Sequence, residues 1–267
     1  VAAGAASRAW GSVGRIADAA TPARVLVLDI ETGPHLARVF ALFDQNIGLV
    51  QLEEVSTVMC FAAKWLGERQ VMFYSGHHDG HETMVQAAWD LMDEATAIVG
   101  YNSKSFDVKH LHREFILAGM PPPSPHKDID LLTVVRSRAK FASGKLDHVA
   151  QQLGIGSKVK HAGFEMWRDC LNGDEAAWRK FKRYNVQDVR LTEALYLRLL
   201  PWIKNHPHAG HYGGDLDGCP RCGSSDRTPT KDHTTGVSSY PAFRCDDCGT
   251  PYRLARSIGT TTGTRAI

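Results

Sequence analysis

The segment RVLVLDIET sets branched apolar residues side by side from Val25 to Ile30 and breaks them with two carboxylates, Asp29 and Glu31. A short apolar run without polar alternation is the pattern of a strand buried on both faces. Such a strand belongs at the centre of a sheet covered by helices, so the run predicts an α/β fold. Side chains two apart on a strand point to the same face, so Asp29 and Glu31 emerge together at its C-terminal end. Open α/β sheets place their ligand sites along that edge.

Two later segments repeat the pattern of an acidic residue at the end of an ordered element. TAIVGYN (96–102) reads as a short buried strand, and SFDVKHLHREFILAG as the helix that follows, with Asp107 near its start and Gly119 as a stop. DEAAWRKFKRYNVQDVRLTEALYLRLL reads as a long helix on which Tyr184 and Asp188, four apart, share a face. Taken singly, each acid has an ordinary explanation as a cap, a dipole partner or a solvated helix face. Taken together and in this order, Asp29, Glu31, Asp107 and Asp188 are an all-oxygen donor set for two Mg2+ or Mn2+ ions. Two such ions roughly 4 Å apart serve both ends of an in-line displacement at phosphorus, the chemistry of phosphodiester cleavage. A phenol beside a metal-bound carboxylate, as Tyr184 would be, can orient the attacking water.

The three segments resemble the exonuclease motifs of the DEDD 3′–5′ exonuclease superfamily, which has a ribonuclease H-like fold. DIET is similar to the first, YNSKSFD to the second and YNVQD to the third, while GKLDHVAQQLG (144–154) resembles the stretch before the third motif in B-family polymerase proofreading domains. Similarity covers about residues 24–200 and extends to stand-alone exonucleases of bacteria and their phages. Tyr184, four before Asp188, indicates the tyrosine subclass; the histidine of the other subclass would stand where this chain has Arg183. The resemblance implies that Asp29 bridges both metals and that Glu31 and Asp188 complete the site of the water-activating one. It implies that Asp107 holds the second metal and that Tyr184 positions the water. Asn102 and Phe106 fall on motif positions near the terminal nucleotide.

The implied activity is removal of nucleoside 5′-monophosphates from single-stranded 3′ ends, DNA favoured, in the cytoplasm of a bacterial cell or a phage-infected host. A replication or repair protein acting in trans is an expected partner. An exoribonuclease, a structure-specific endonuclease on the same fold, and a non-catalytic nucleic-acid-binding or recruitment protein are the alternatives.

Charge adds little to this. The formal net charge of +2 announces no strong basic field, whereas non-specific polyanion binders are often more basic. Local clusters exist, however. Lys104, Lys145 and Arg183 lie in or beside the motifs and could contact phosphates, as could Lys158 and Lys160; the alternative is ordinary solvated surface.

The remaining elements are expected as strands at 57–65 and 70–75 joined by the short polar LGERQ, a helix at 81–94, and a further strand at KDIDLL followed by helices. They give a mixed five-stranded sheet flanked by helices. Asp130 in KDIDLL is read as structural. Residues 1–23 read as an N-terminal arm, 24–203 as the exonuclease-like domain, 204–217 as a linker, 218–256 as a small metal-bound domain and 257–267 as a tail. The arm lacks the apolar core of a secretory signal, and no stretch is apolar and long enough for a membrane span.

Cys219-x-x-Cys222 and Cys245-x-x-Cys248, each followed by glycine, have zinc-ribbon spacing. Four thiolates close a tetrahedral site, so one structural Zn2+ is expected rather than a catalytic one. Cys60 and Cys170 sit in apolar contexts as buried thiols.

Overall fold

The computed structural model describes residues 24–158, 163–212 and 215–261. The expected N-terminal arm, Lys160 and the end of the expected tail lie outside the described residues.

The central strand is β1 (Val25–Thr32). An excursion follows it, with short strands β2 (Leu36–Ala37) and β3 (Leu52–Glu54) paired antiparallel. Then come β4 (Val58–Trp65), β5 (Met72–Ser75), α1 (His81–Glu94), β6 (Ala97–Gly100), α2 (Asp107–Leu117) and β7 (Lys127–Asp130). Four helices complete the larger unit: α3 (Leu131–Arg138), α4 (Leu146–Gln152), α5 (Phe164–Leu171) and α6 (Glu175–Leu199). The sheet order is β5-β4-β1-β6-β7. β4 runs antiparallel to both neighbours, and β6 and β7 run parallel to β1, so the sheet is mixed. This is the ribonuclease H-like architecture expected from the sequence.

Strand alternation sorts β1 into two cores. Leu26, Leu28 and Ile30 pack with Met84, Val85 and Met92 of α1 and with Leu111 and Phe115 of α2. Val25 and Val27 face the other way, toward Val189, Leu195 and Tyr196 of α6. Asp29 and Glu31 continue that second face, so the strand itself delivers them to α6. A third cluster seats Met59 and Cys60 against Met166, Trp178, Phe181 and Tyr184. Each fully buried aliphatic or aromatic side chain in these cores stabilises the fold by roughly 1.5–3 kcal/mol relative to exposure.

The strand expected over KDIDLL ends at Asp130, and Leu131 and Leu132 belong to α3. Asp130 is the reason. Its carboxylate accepts the backbone N–H of Leu132 at 2.9 Å and of Thr133 at 3.4 Å, capping the helix, and that of Asn102 at 2.9 Å, tying it to the end of β6.

The excursion between β1 and β4 leaves the sheet as soon as the carboxylates have been placed. The Gly33 N–H donates to the Thr57 carbonyl at 2.9 Å and closes its base. Phe40, Leu42, Phe43, Leu49 and Val50 are all exposed along it.

The C-terminal region carries six short strands: β8 (Arg227–Pro229), β9 (His233–Thr234), β10 (Ser238–Tyr240), β11 (Ala242–Cys245), β12 (Pro251–Arg253) and β13 (Gly259–Thr260). They form two three-stranded sheets, β12-β11-β8 and β13-β10-β9. Between the larger unit and these sheets, Tyr196 Oη lies 2.5 Å from His206 Nε2, and the Arg221 guanidinium donates to the Lys204 carbonyl at 3.0 Å. Among the described residues no helix is long and apolar enough to cross a membrane.

Candidate active site and metal centres

Asp29 and Glu31 lie in β1, opposite Ala62 and Cys60 of β4. One turn of α6 crosses their face and brings Asp188, with carboxylate oxygens of Asp29, Glu31 and Asp188 all within 4.8 Å of one another. Asp107 arrives from the other side of the sheet as the first residue of α2. Its Oδ1 accepts the buried Ile30 N–H at 3.0 Å, between Asp29 and Glu31 in sequence.

Carboxylates gathered in a buried space repel one another and so hold their protons more tightly. Burial, then the charges of Asp107, Glu31 and Asp188, raises the Asp29 carboxyl well above its ordinary value. Burial and the Asp188 charge push Glu31 up to about 8. Burial likewise lifts Asp107 to about 7, against the pull of the Ile30 N–H. A cluster of this kind is stable when a cation joins it. Lys158 supplies one such charge: its ammonium donates to Asp188 Oδ2 and, at 3.2 Å, to the Tyr184 hydroxyl. Burial alone would lower the Lys158 ammonium, but Asp188 outweighs it and holds the ammonium above the usual range. The donor set is all oxygen, which suits Mg2+ or Mn2+.

Tyr184 is buried with its ring edge toward Trp167, 6.3 Å between centroids. Burial, then the Asp188 charge, raises its phenol to about 12, so it stays protonated and can donate a hydrogen bond.

Two neighbours of the cluster were not foreseen in these places. Asn185, fully buried, donates from Nδ2 to Asp29 Oδ2 at 2.7 Å and to the Asp29 carbonyl at 3.2 Å. It fixes the carboxylate from behind, as outer partners of metal ligands do. Its only sequence signal was its place next to Tyr184 in YNVQD. Lys158, expected among phosphate contacts, is instead engaged by Asp188 and Tyr184.

The other expected contacts are spread out. Asn102 takes a left-handed φ of 66°, tolerable for Asn, in the turn after β6. Gly100 permits that turn, since a Cβ there would lie 2.5 Å from Ser103 Cβ. Phe106 is partly exposed beside His110, with ring centroids 4.5 Å apart. Lys145 is exposed at the start of α4, near β6 because the Tyr101 hydroxyl donates to the Gly144 carbonyl at 2.7 Å. Lys104 is exposed and lines a cleft with Asp128, Thr133 and Trp202, outside the carboxylate cluster. Arg183 is exposed and sits about 100° around α6 from Tyr184, off the carboxylate face.

In the C-terminal region the Sγ atoms of Cys219, Cys222, Cys245 and Cys248 lie within 4.8 Å of one another. Cys219 and Cys248 are 3.6 Å apart and Cys222 and Cys245 3.5 Å apart. Thiolates about 2.3 Å from a tetrahedral zinc would be about 3.8 Å apart, so the four sulfurs fit a zinc ion. Each CxxC folds into the same tight knuckle. Gly223 and Gly249 donate to the Cys219 and Cys245 carbonyls with φ of 79° and 75°, a region that favours glycine.

Residues 48–200 match the family described as the RNase_H superfamily (RNase_H_2). The match covers Asp107, Tyr184 and Asp188 and begins after Asp29 and Glu31. No curated protein matches. Among solved structures, the fold is similar to that of the family B DNA polymerase from the hyperthermophilic archaeon Pyrobaculum calidifontis, at 19% identity and a TM-score of 0.54. That similarity covers 81% of this chain and 32% of the polymerase, so the chain spans about a third of that protein's length. Membership supports nuclease activity in general, and nucleic acid as the class of substrate. With more than half of its length matched and the β5-β4-β1-β6-β7 sheet in place, the chain belongs to the RNase H superfamily.

Proposed function

We propose that this protein is a metal-dependent 3′–5′ exonuclease of the tyrosine subclass of the DEDD superfamily. It acts on single-stranded nucleic acid, DNA in preference to RNA, and releases nucleoside 5′-monophosphates. The observation that carries this reading is the convergence of Asp29, Glu31 and Asp188 within 4.8 Å, with Asp107 hydrogen-bonded to the backbone between the first two.

When bound, a pair of divalent cations supplies Lewis acidity at the scissile phosphate and makes the attacking water more acidic. The chain's own residues do the rest. Asp29, held by Asn185, would be shared by the two cations, Glu31 and Asp188 would hold the one that activates water, and Asp107 would hold the other. Tyr184 stays neutral at working pH and orients the water through its hydroxyl. Lys158, paired with Asp188 and Tyr184, sets its ammonium at the edge of the cluster, where it can meet a phosphate oxygen. The turn bearing Asn102 and Phe106 flanks the terminal nucleotide, and Lys145 approaches the strand backbone. The four-cysteine region, read as a zinc-bound domain over 218–256, adds a surface for nucleic acid beside the catalytic unit.

The test uses 5′-labelled single-stranded DNA and RNA of one sequence with Mg2+ or Mn2+. Wild type should give a ladder shortening from the 3′ end, faster on DNA, and Asp29→Asn should give none. Internal cuts on a circular single strand would overturn the exonuclease reading, and cleavage undiminished in Asp29→Asn would remove the site.

A further inference from the structure

A second group of metal-binding side chains lies away from the carboxylate cluster. His77 and His78 follow β5 in the turn to α1, and Glu175 opens α6. Ligand atoms of the three residues lie within 4.8 Å of one another. His77 Nε2 is 2.8 Å from Glu175 Oε1 and His78 Nε2 is 3.3 Å from Oε2. Along α6, Glu175 is about 20 Å from Asp188 at 1.5 Å per residue, so the two groups are separate.

The imidazoles are held in place before any ligand arrives. His77 stacks on Trp178, with centroids 5.0 Å apart and planes 9° apart. His78 sets its edge toward the same indole at 5.6 Å and 81°. His78 Nδ1 is 2.8 Å from Ser75 Oγ, a fully buried hydroxyl that also accepts the His78 N–H at 3.1 Å. Ser75 is fixed in turn by Asp79, whose Oδ2 accepts the Ser75 N–H at 2.8 Å. With a metal on Nε2, the Nδ1–H of His78 would donate to the Ser75 hydroxyl, so Ser75 is placed as the outer partner of that ligand. Ligands about 2.1 Å from a tetrahedral ion are about 3.4 Å apart, so the trio need open only slightly to admit one.

We propose that His77, His78 and Glu175 form a surface site for a divalent transition metal of zinc type, clipping the β5–α1 turn to the start of α6. Two imidazoles and one carboxylate are borderline donors that suit Zn2+ and disfavour Mg2+. The site has three protein ligands and an outer position open to water. Glu175 is the first residue of the helix that bears Tyr184, Asn185 and Asp188, so the ion braces the element that supports the carboxylate cluster. The proposal stands on these three side chains and does not depend on the catalytic reading.

The whole 267-residue chain, first loaded with one equivalent of Zn2+ for its four cysteines, is titrated with further Zn2+ in saturating Mg2+. Binding is followed by equilibrium dialysis with elemental analysis and by thermal melting. Wild type should take up one more zinc per chain and melt at higher temperature as it does so. His77→Ala and His78→Ala should weaken that uptake by roughly a hundredfold and Ser75→Ala by roughly tenfold, while Asp29→Asn leaves it unchanged. Circular dichroism confirms that each variant is folded, and Glu175→Gln keeps the helix start while removing the anionic ligand. Absence of the further zinc in wild type, or its retention in all three ligand variants, would overturn the proposal.

Discussion

Replacing Glu31 by Gln should make the magnesium-free protein more stable in mild alkali while abolishing its cleavage. Glu31 has a native pKa of about 8 against an ordinary 4.5, raised by burial and then by the Asp188 charge. Below the ordinary value both folded and unfolded chains hold the proton, and this group gives no pH dependence. Between the two values the native state keeps a proton that the unfolded state has released, so stability falls as pH rises. At about 1.4 kcal/mol per unit, the full shift corresponds to on the order of 4–5 kcal/mol lost by about pH 8. Gln retains the shape and some cost of burying an amide, so roughly 2–4 kcal/mol of that should return in the variant. Urea unfolding in magnesium-free buffer, with zinc retained, measures this at about pH 5.5 and about pH 8. Wild type should weaken from the lower to the higher pH, and Glu31→Gln should weaken less. Millimolar Mg2+ should then stabilise wild type more than the variant. A variant no more stable than wild type at the higher pH would refute the idea that these carboxylates strain the fold against one another.

Other perturbations probe neighbouring parts of the structure. Asn185→Ala removes both bonds to Asp29 and should lower cleavage or metal affinity by roughly 10–100-fold, read by initial rates against Mg2+ concentration. Tyr184→Phe should slow cleavage while the apparent metal affinity, measured in the same titrations, stays nearly constant. Lys158→Met removes a cation that competes at Asp188, so Mn2+ binding without nucleic acid should tighten in calorimetry even as turnover falls. Stripping zinc with a thiol-reactive mercurial should release one ion from the four cysteines and unfold residues 218–256 first. Hydrogen exchange would report this as lost protection in β11 with β1 unchanged.

Much of this was legible in the sequence because it rests on local rules. The burial of β1 on both faces, the helix at α1 and the i,i+4 pair on α6 follow from residue spacing alone. The CxxC knuckles were equally plain, since thiolate chemistry and the glycine after each pair leave few alternatives. KDIDLL was harder, because two leucines continue a strand and begin a helix with the same hydrophobicity. The decision fell to Asp130, whose cap is visible only once the backbone turns. Strands β2 and β3 carry no alternating pattern and lie in an exposed excursion. Lys158 joins Asp188 across a span of sequence that no periodicity connects, and Asn185 acts through Asp29 rather than on anything a motif describes.

Asp107 differs from its neighbours in what it holds. Its carboxylate anchors the buried Ile30 N–H, and removing it would strand that donor at a cost of about 1–3 kcal/mol. Glu31 has the opposite balance, since its loss relieves repulsion. Selection for a folded chain and selection for chemistry therefore press on different members of one cluster. In a lineage that no longer needs the chemistry, Glu31 is the acid expected to drift first and Asp107 the one to persist longest. An aspartate surviving alone at that helix start marks ancestry and architecture, and the pair on β1 is the better sign of a working enzyme.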